Sequence, residues 1–136
     1  MRELTRRECA DWLLDRDRFL ILTHRKPDGD TVGSSAALCR GLRQLGKTAH
    51  IIENPEITDK FRHLHLGLTK PVAEAGDTVV SVDVASPALL PDSFQHLLGS
   101  IALRIDHHGS ATSFTEFELV EPGAGACAEV LYDELR

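Results

Sequence analysis

No apolar run in this 136-residue chain approaches the ~20 residues that a helical bilayer crossing needs, which excludes such a span. The charged stretch from Met1 to Arg7 leads into no apolar core, so nothing marks an export signal, and the expected location is the cytoplasm. Cysteine is scarce: Cys9, Cys39 and Cys127 are odd in number, far apart and form no CxxC pair. They read as small core residues in a reducing compartment and exclude a disulfide framework or a thiolate zinc site. Repeats, low-complexity tracts and linkers are also missing, so residues 1–136 read as one domain. A long basic stripe is absent as well, and the formal charge is −6. That combination disfavours a grip on long nucleic acid, which needs many Lys and Arg contacts to phosphate. It leaves room for a small or short phosphate ester, provided bound cations reverse the local field.

What is present is ordinary globular material, 42% hydrophobic, arranged in alternating patterns. Leu4 to Arg18 predicts a surface helix. Phe19 to Thr23 (FLILT) is a short continuous apolar run, as in a strand buried on both faces. His24 to Asp30 (HRKPDGD) is a turn by its Pro and Gly. Thr31 to Leu45 predicts a helix stopped by Gly46. Strands are expected at Thr48–Glu53, Thr78–Asp83 and Ile101–Asp106, with an edge strand at Phe114–Val120. Asn54–Pro71 reads as irregular with one helical turn, Ala88–Leu98 as containing a short helix, and Ala124–Leu135 as a closing helix. Strands alternating with helices predict an α/β domain with a mainly parallel sheet flanked by helices.

Three of the four best strands end in acid or imidazole. The first runs into His24, Asp28 and Asp30, the third ends at Asp83, and the fourth ends at Asp106, His107 and His108. Ligand sites in open parallel sheets form beyond the carboxyl ends of the strands, so these side chains are expected at one rim. Carboxylates a few ångströms apart repel, and divalent cations supply the compensating charge. Carboxylate and imidazole without thiolate suit Mn²⁺, Mg²⁺ or Fe²⁺. More acids than one ion requires point to two ions, typically ~3.5–4 Å apart, sharing a bridging carboxylate. Such a pair makes hydroxide available at neutral pH and clamps a phosphoryl group, so the expected chemistry is hydrolysis of a phosphate ester or anhydride.

HRKPDGDTVGS, VVSVDVAS and RIDHHGS resemble motifs I, II and III of the DHH phosphoesterase superfamily. The tail ELVEPGAGACAEVLYDELR is similar to the segment after that triplet in nano-RNases. The resemblance implies a DHH-type Rossmann-like domain and a hydrolase of the nano-RNase/pAp-phosphatase (RecJ-like) type, a cytoplasmic oligoribonuclease or exonuclease. It would use Mn²⁺, two ions in the intact site, with Mg²⁺ or another divalent ion as the alternative. It implies that His24 and Asp28 bind the first metal, Asp30 and His107 the second, and that Asp83 bridges them. His108 would face the substrate phosphate, and Asp83 and His108 form the catalytic pair. Asp106 would orient a metal-bound histidine. Gly33 and Ser34 match the small residues that open the helix after motif I, near the substrate phosphate, where the helix dipole favours an anion. The implied partner is a short oligonucleotide or small nucleotide phosphate, with no membrane involved and a homodimer as the assembly to test.

The family's motif IV, an aspartate on a later strand, and its C-terminal substrate domain have no counterpart before Arg136. Asp133 sits in a helix-like stretch and does not replace it. Ala111 stands where many nano-RNases carry Asn, and Gly123 to Ala126 replaces a serine-rich turn. The domain is therefore expected to be incomplete at its C-terminus, a fragment of a longer protein. The alternatives are a truncated non-catalytic metal- or nucleotide-binding domain, and a cyclic-dinucleotide phosphodiesterase or RecJ-like exonuclease.

Plainer roles compete at several positions. Asp30 could simply cap the helix that follows it. His50, His63, His65 and His96 lack acidic partners at ligand spacing and read as structural. Arg25 and Lys26 read as exposed charges, and Ser34 and Ser35 have no GxSxG setting. Leu38, Leu42, Leu45 and the leucines of the first helix read as core.

Overall fold

A computed structural model describes residues 2–84, 86–106, 115 and 117–120. The chain opens with β1 (Arg2–Glu3) and α1 (Arg6–Leu14), followed by β2 (Phe19–Leu22) and α2 (Gly29–Gln44). Next come β3 (Ala49–Ile52), α3 (Asp59–Arg62), a 3-10 turn at His63–His65 and β4 (Thr69–Lys70). Then β5 (Thr78–Val82) leads through 3-10 segments at Pro87–Leu89 and Asp92–Ser100 into β6 (Ile101–Asp106) and β7 (Phe117–Val120). Among the described residues, seven strands form one sheet in the order β1-β7-β6-β5-β2-β3-β4, and each of their pairings is parallel.

The apolar run of β2 is buried on both faces because successive side chains alternate across the sheet. Phe19 and Ile21 join Leu38, Cys39 and Leu42 of α2 and Cys9 and Leu13 of α1 in one core layer. Leu20 and Leu22 face the other way, against Leu90, Phe94 and Leu97. A register shift between Val79 and Val80 of β5 brings Ile101 into the second layer while Leu103 and Ile105 stay in the first.

The sheet order places a topological switch at the centre. From β2 the chain moves outward to β3 and β4, returns to β5 on the other side of β2, and moves outward again to β6 and β7. The carboxyl ends of β2 and β5 therefore lie side by side with connections diverging from them, where α/β sheets bind ligands.

Several sequence expectations change. Helix α1 starts at Arg6, because Thr5 and Glu8 form a capping box of 3.1 and 3.0 Å, and it ends at Leu14. Helix α2 begins at Gly29, two residues before Thr31, because Asp28 and not Asp30 caps it. The expected edge strand is interior, since β1 pairs with its outer side. The helix expected within Ala88–Leu98 is two 3-10 segments, introduced by Pro87 and Pro91, and β4 emerges from the stretch read as irregular. Leu14 and Leu45 are exposed at 50% and 45%, not core. The helix predicted at Ala124–Leu135 lies outside the described residues.

Candidate metal centre

His24 stands two residues beyond β2, carried by Thr23, which is fully buried. Its Nδ1 lies in hydrogen-bonding contact with the carbonyl of Arg25. A carbonyl can only accept, so Nδ1 carries the proton, and in the neutral ring Nε2 keeps its lone pair. That Nε2 faces Asp83 Oδ2 at 3.8 Å.

Asp28 is the N-cap of α2, its extended backbone letting the side chain turn back onto the helix. Oδ1 accepts from the backbone amide of Thr31 at 3.0 Å, and the residue remains solvent-exposed. The first turn of α2 lies beside it, the positive end of a 16-residue helix.

Asp83 follows β5 directly and is only 4% exposed. Its φ is 61°, in the left-handed region that aspartate tolerates better than most residues. The backbone amide still donates to the Ile105 carbonyl at 2.9 Å, so the turn leaves the sheet edge in order. Oδ2 accepts a 2.6 Å hydrogen bond from the Thr31 hydroxyl.

His24, Asp28 and Asp83 each offer a ligand atom, and the three atoms lie within 4.8 Å of one another. Two carboxylates and an imidazole brought this close, one carboxylate buried on a strained turn, form a hard-to-borderline donor set that fits a divalent cation. These three side chains meet where the carboxyl ends of β2 and β5 adjoin the start of α2.

The other expected site residues are placed less completely. Asp30 is the second residue of α2, with its side chain outside the described residues. Asp106 ends β6, and the Val82–Ile105 pairing sets its backbone level with Asp83. Its side chain, His107 and His108 lie outside the described residues. Gly33 and Ser34 sit in the second turn of α2, not at its opening. A Cβ at Gly33 would meet nothing within 4 Å. Ser34 is fully buried, and its hydroxyl has no partner among the described residues. His50 is partly buried, His63 and His96 are exposed, and His65 is buried against Ser35 at 2.8 Å.

Two residues that the sequence reading passed over hold the site together. Thr31 bonds both Asp28 and Asp83. Asn54, just beyond β3, donates to Thr23 Oγ1 at 2.9 Å and to the His24 carbonyl at 3.0 Å. Asn54 also lines a cleft of about 450 Å³ with Glu53, Ile57, Arg62, His65 and Leu66. A polar residue at a strand's carboxyl end was the one available signal for Asn54.

The family model described as "DHH family, N-terminal domain" matches residues 18–136. The chain belongs to the DHH family. It is 33% identical over 115 residues to the bifunctional oligoribonuclease and PAP phosphatase NrnA of Thermus thermophilus, an alignment covering 83% of this chain and 35% of that protein. A crystal structure of an exopolyphosphatase-related protein from Bacteroides fragilis superposes with a TM-score of 0.80 at 18% identity, covering 96% of this chain and 42% of that one. At that identity the likeness bears on the fold alone, and it agrees with a parallel DHH-family sheet flanked by helices. The chain thus spans about a third of the relative's length. Within the described residues, no helix is long and apolar enough to cross a membrane.

Proposed function

We propose that this chain is the metal-binding part of a hydrolase that cleaves phosphoester bonds in short oligonucleotides or small nucleotide phosphates. The observation that carries the reading is the meeting of His24, Asp28 and Asp83 at the switch point of a DHH-family sheet. The similarity to a protein named as an oligoribonuclease and PAP phosphatase supports the substrate class. The acidic chain, without a basic groove in its sequence, supports short substrates over long ones.

In this reading His24 and Asp28 would hold one divalent ion, Asp30 and His107 would hold a second, and Asp83 would serve both, with Mn²⁺ as the metal to test. Asp106 would orient a ligating imidazole, as such rings usually require. Bound divalent ions supply Lewis-acid polarisation of the phosphoryl group and lower the pKa of water at the site. The chain's own groups do the rest. The Arg25 carbonyl fixes the His24 tautomer so that Nε2 is the donor atom. The first turn of α2 presents its positive end toward an anion beside Asp28. His108 would be the group facing the phosphate, donating to its oxygen as charge develops. The cysteine pattern supports a reducing, cytoplasmic setting.

The test uses the protein expressed from its full reading frame. With Mn²⁺ it should release mononucleotides from di- and trinucleotides and phosphate from 3′-phosphoadenosine 5′-phosphate, and a chelator should abolish both. Absence of Mn²⁺-dependent turnover on every phosphoester tried would overturn the reading.

A further inference from the structure

Asp28 and Asp83 arrive from different elements, one at the start of α2 and the other after β5. Without an ion, two carboxylates with ligand atoms within 4.8 Å repel each other. Electrostatics alone would therefore open the site before a cation arrives. The residue lying between them is Thr31, fully buried in the first turn of α2. Its backbone amide donates to Asp28 Oδ1 at 3.0 Å and its hydroxyl donates to Asp83 Oδ2 at 2.6 Å.

We propose that Thr31 is a positioning residue that holds Asp28 and Asp83 in ligand geometry before metal binds, one carboxylate by its amide and the other by its hydroxyl. The proposal rests on the metal-site reading above. Each contact puts a donor's partial positive charge on one carboxylate oxygen and so offsets part of the repulsion. Asp83, on a turn with φ of 61°, is aimed by its backbone, and the hydroxyl fixes the remaining rotation of its carboxylate. Thr31 would touch neither ion nor substrate.

The chemistry makes the residue replaceable in one way only. Serine keeps the amide and the hydroxyl; valine keeps the amide and the shape but loses the hydroxyl. Removing a group that orients a ligand typically weakens metal affinity by about 10- to 100-fold. Titration calorimetry with Mn²⁺, with no substrate present, compares wild type, Thr31→Ser and Thr31→Val, and circular dichroism verifies that each is folded. Expected is a weakening of about 10- to 100-fold for Thr31→Val at unchanged stoichiometry, with Thr31→Ser within a few-fold of wild type. Equal affinity in wild type and Thr31→Val would overturn the proposal while leaving the metal site standing. Equal weakening in Ser and Val would also overturn it, because serine keeps the hydroxyl and affinity would then not follow that group. A wild-type protein that binds no Mn²⁺ would sink the metal-site reading itself.

Discussion

The side chain of Asn54 donates to the carbonyl of His24 at 3.0 Å, so the loop after β3 fixes the loop that carries the first candidate ligand. The same amide group reaches Thr23 Oγ1 at 2.9 Å, while Asn54 Oδ1 accepts from the Glu56 amide at 2.9 Å. All of this lies on a side chain only 5% exposed. Removing it leaves a buried hydroxyl and two backbone groups short of partners, at about 1–3 kcal/mol for a buried unsatisfied group. Asn54→Ala is therefore expected to lose stability of that order in urea denaturation and to bind Mn²⁺ more weakly than wild type. Unchanged affinity would show that the His24 loop holds its shape without this tether.

Asp83 should separate stability from metal binding. Asn tolerates the left-handed backbone nearly as well as Asp and still offers Thr31 an acceptor. Asp83→Asn removes one of two neighbouring negative charges. In the presence of chelator, its melting temperature is expected to equal or exceed that of wild type. With Mn²⁺, affinity should fall more than tenfold, and the stabilisation that wild type gains from the ion should largely vanish. If Asp83→Asn binds Mn²⁺ as tightly as wild type, Asp83 is not a ligand.

The buried pair on β6 and β7 makes a different prediction. Arg104 of β6 and Glu118 of β7 are direct cross-strand neighbours, 1% and 8% exposed, joined at 2.6 Å from Nη2 and 3.2 Å from Nε to the same Oε2. Truncating Glu118 takes this counter-charge from a buried guanidinium, a change that costs about 3–5 kcal/mol. Glu118→Ala should show that loss in urea denaturation. The double replacement Arg104→Met with Glu118→Leu should recover most of it. A double variant no better than the single would mean that the pair is more than a buried charge and its counter-charge.

Much of the frame is readable directly from residue patterns, for reasons that also explain where reading fails. FLIL at 19–22 is too short for a helix and too apolar for a loop, so a buried strand is the only economical solution. Strand-end acids at Asp83 and Asp106 mark the sheet edge because an acid inside such a strand needs a buried partner, as Glu118 has in Arg104. The start of α2 is obscured because Gly29 and Asp30 are poor helix formers, and only Asp28's cap reveals that they belong to it. β1 and β4 are two residues each, too short for any period, and exist only because β7 and β3 offer them partners. Thr31 carries no signature and Asn54 only its place after a strand: both gain meaning from what tertiary structure sets opposite them.

Acid should weaken the metal-free fold in two stages. Burial, aided by the positive charge of Arg40, lowers the pKa of His65 from its ordinary 6.5, outweighing a backbone hydrogen bond that favours protonation. His50 shifts the same way, through burial and then Arg43 and Lys70. For a histidine with a lowered folded pKa, the unfolded chain takes up the proton first. Stability is therefore intact above about pH 6.5 and declines as pH falls below it. The second stage belongs to Asp17 and Asp77, whose pKa values lie below their ordinary 3.8. The amides of Thr48 and Arg18 hold Asp17 down, and for Asp77 bonds from Lys70 and the Glu74 amide overcome the opposing effect of burial. Depressed carboxylates contribute stability above their unfolded pKa and lose it as pH falls through the folded one, so a steeper loss begins near about pH 4. Urea denaturation in chelator from about pH 7.5 to about pH 3 should show both stages. His65→Gln, which keeps a nitrogen donor toward Ser35 without titrating, should flatten the first stage and leave the second. An unchanged slope between about pH 6.5 and about pH 5 in that variant would assign the first stage to histidines other than His65.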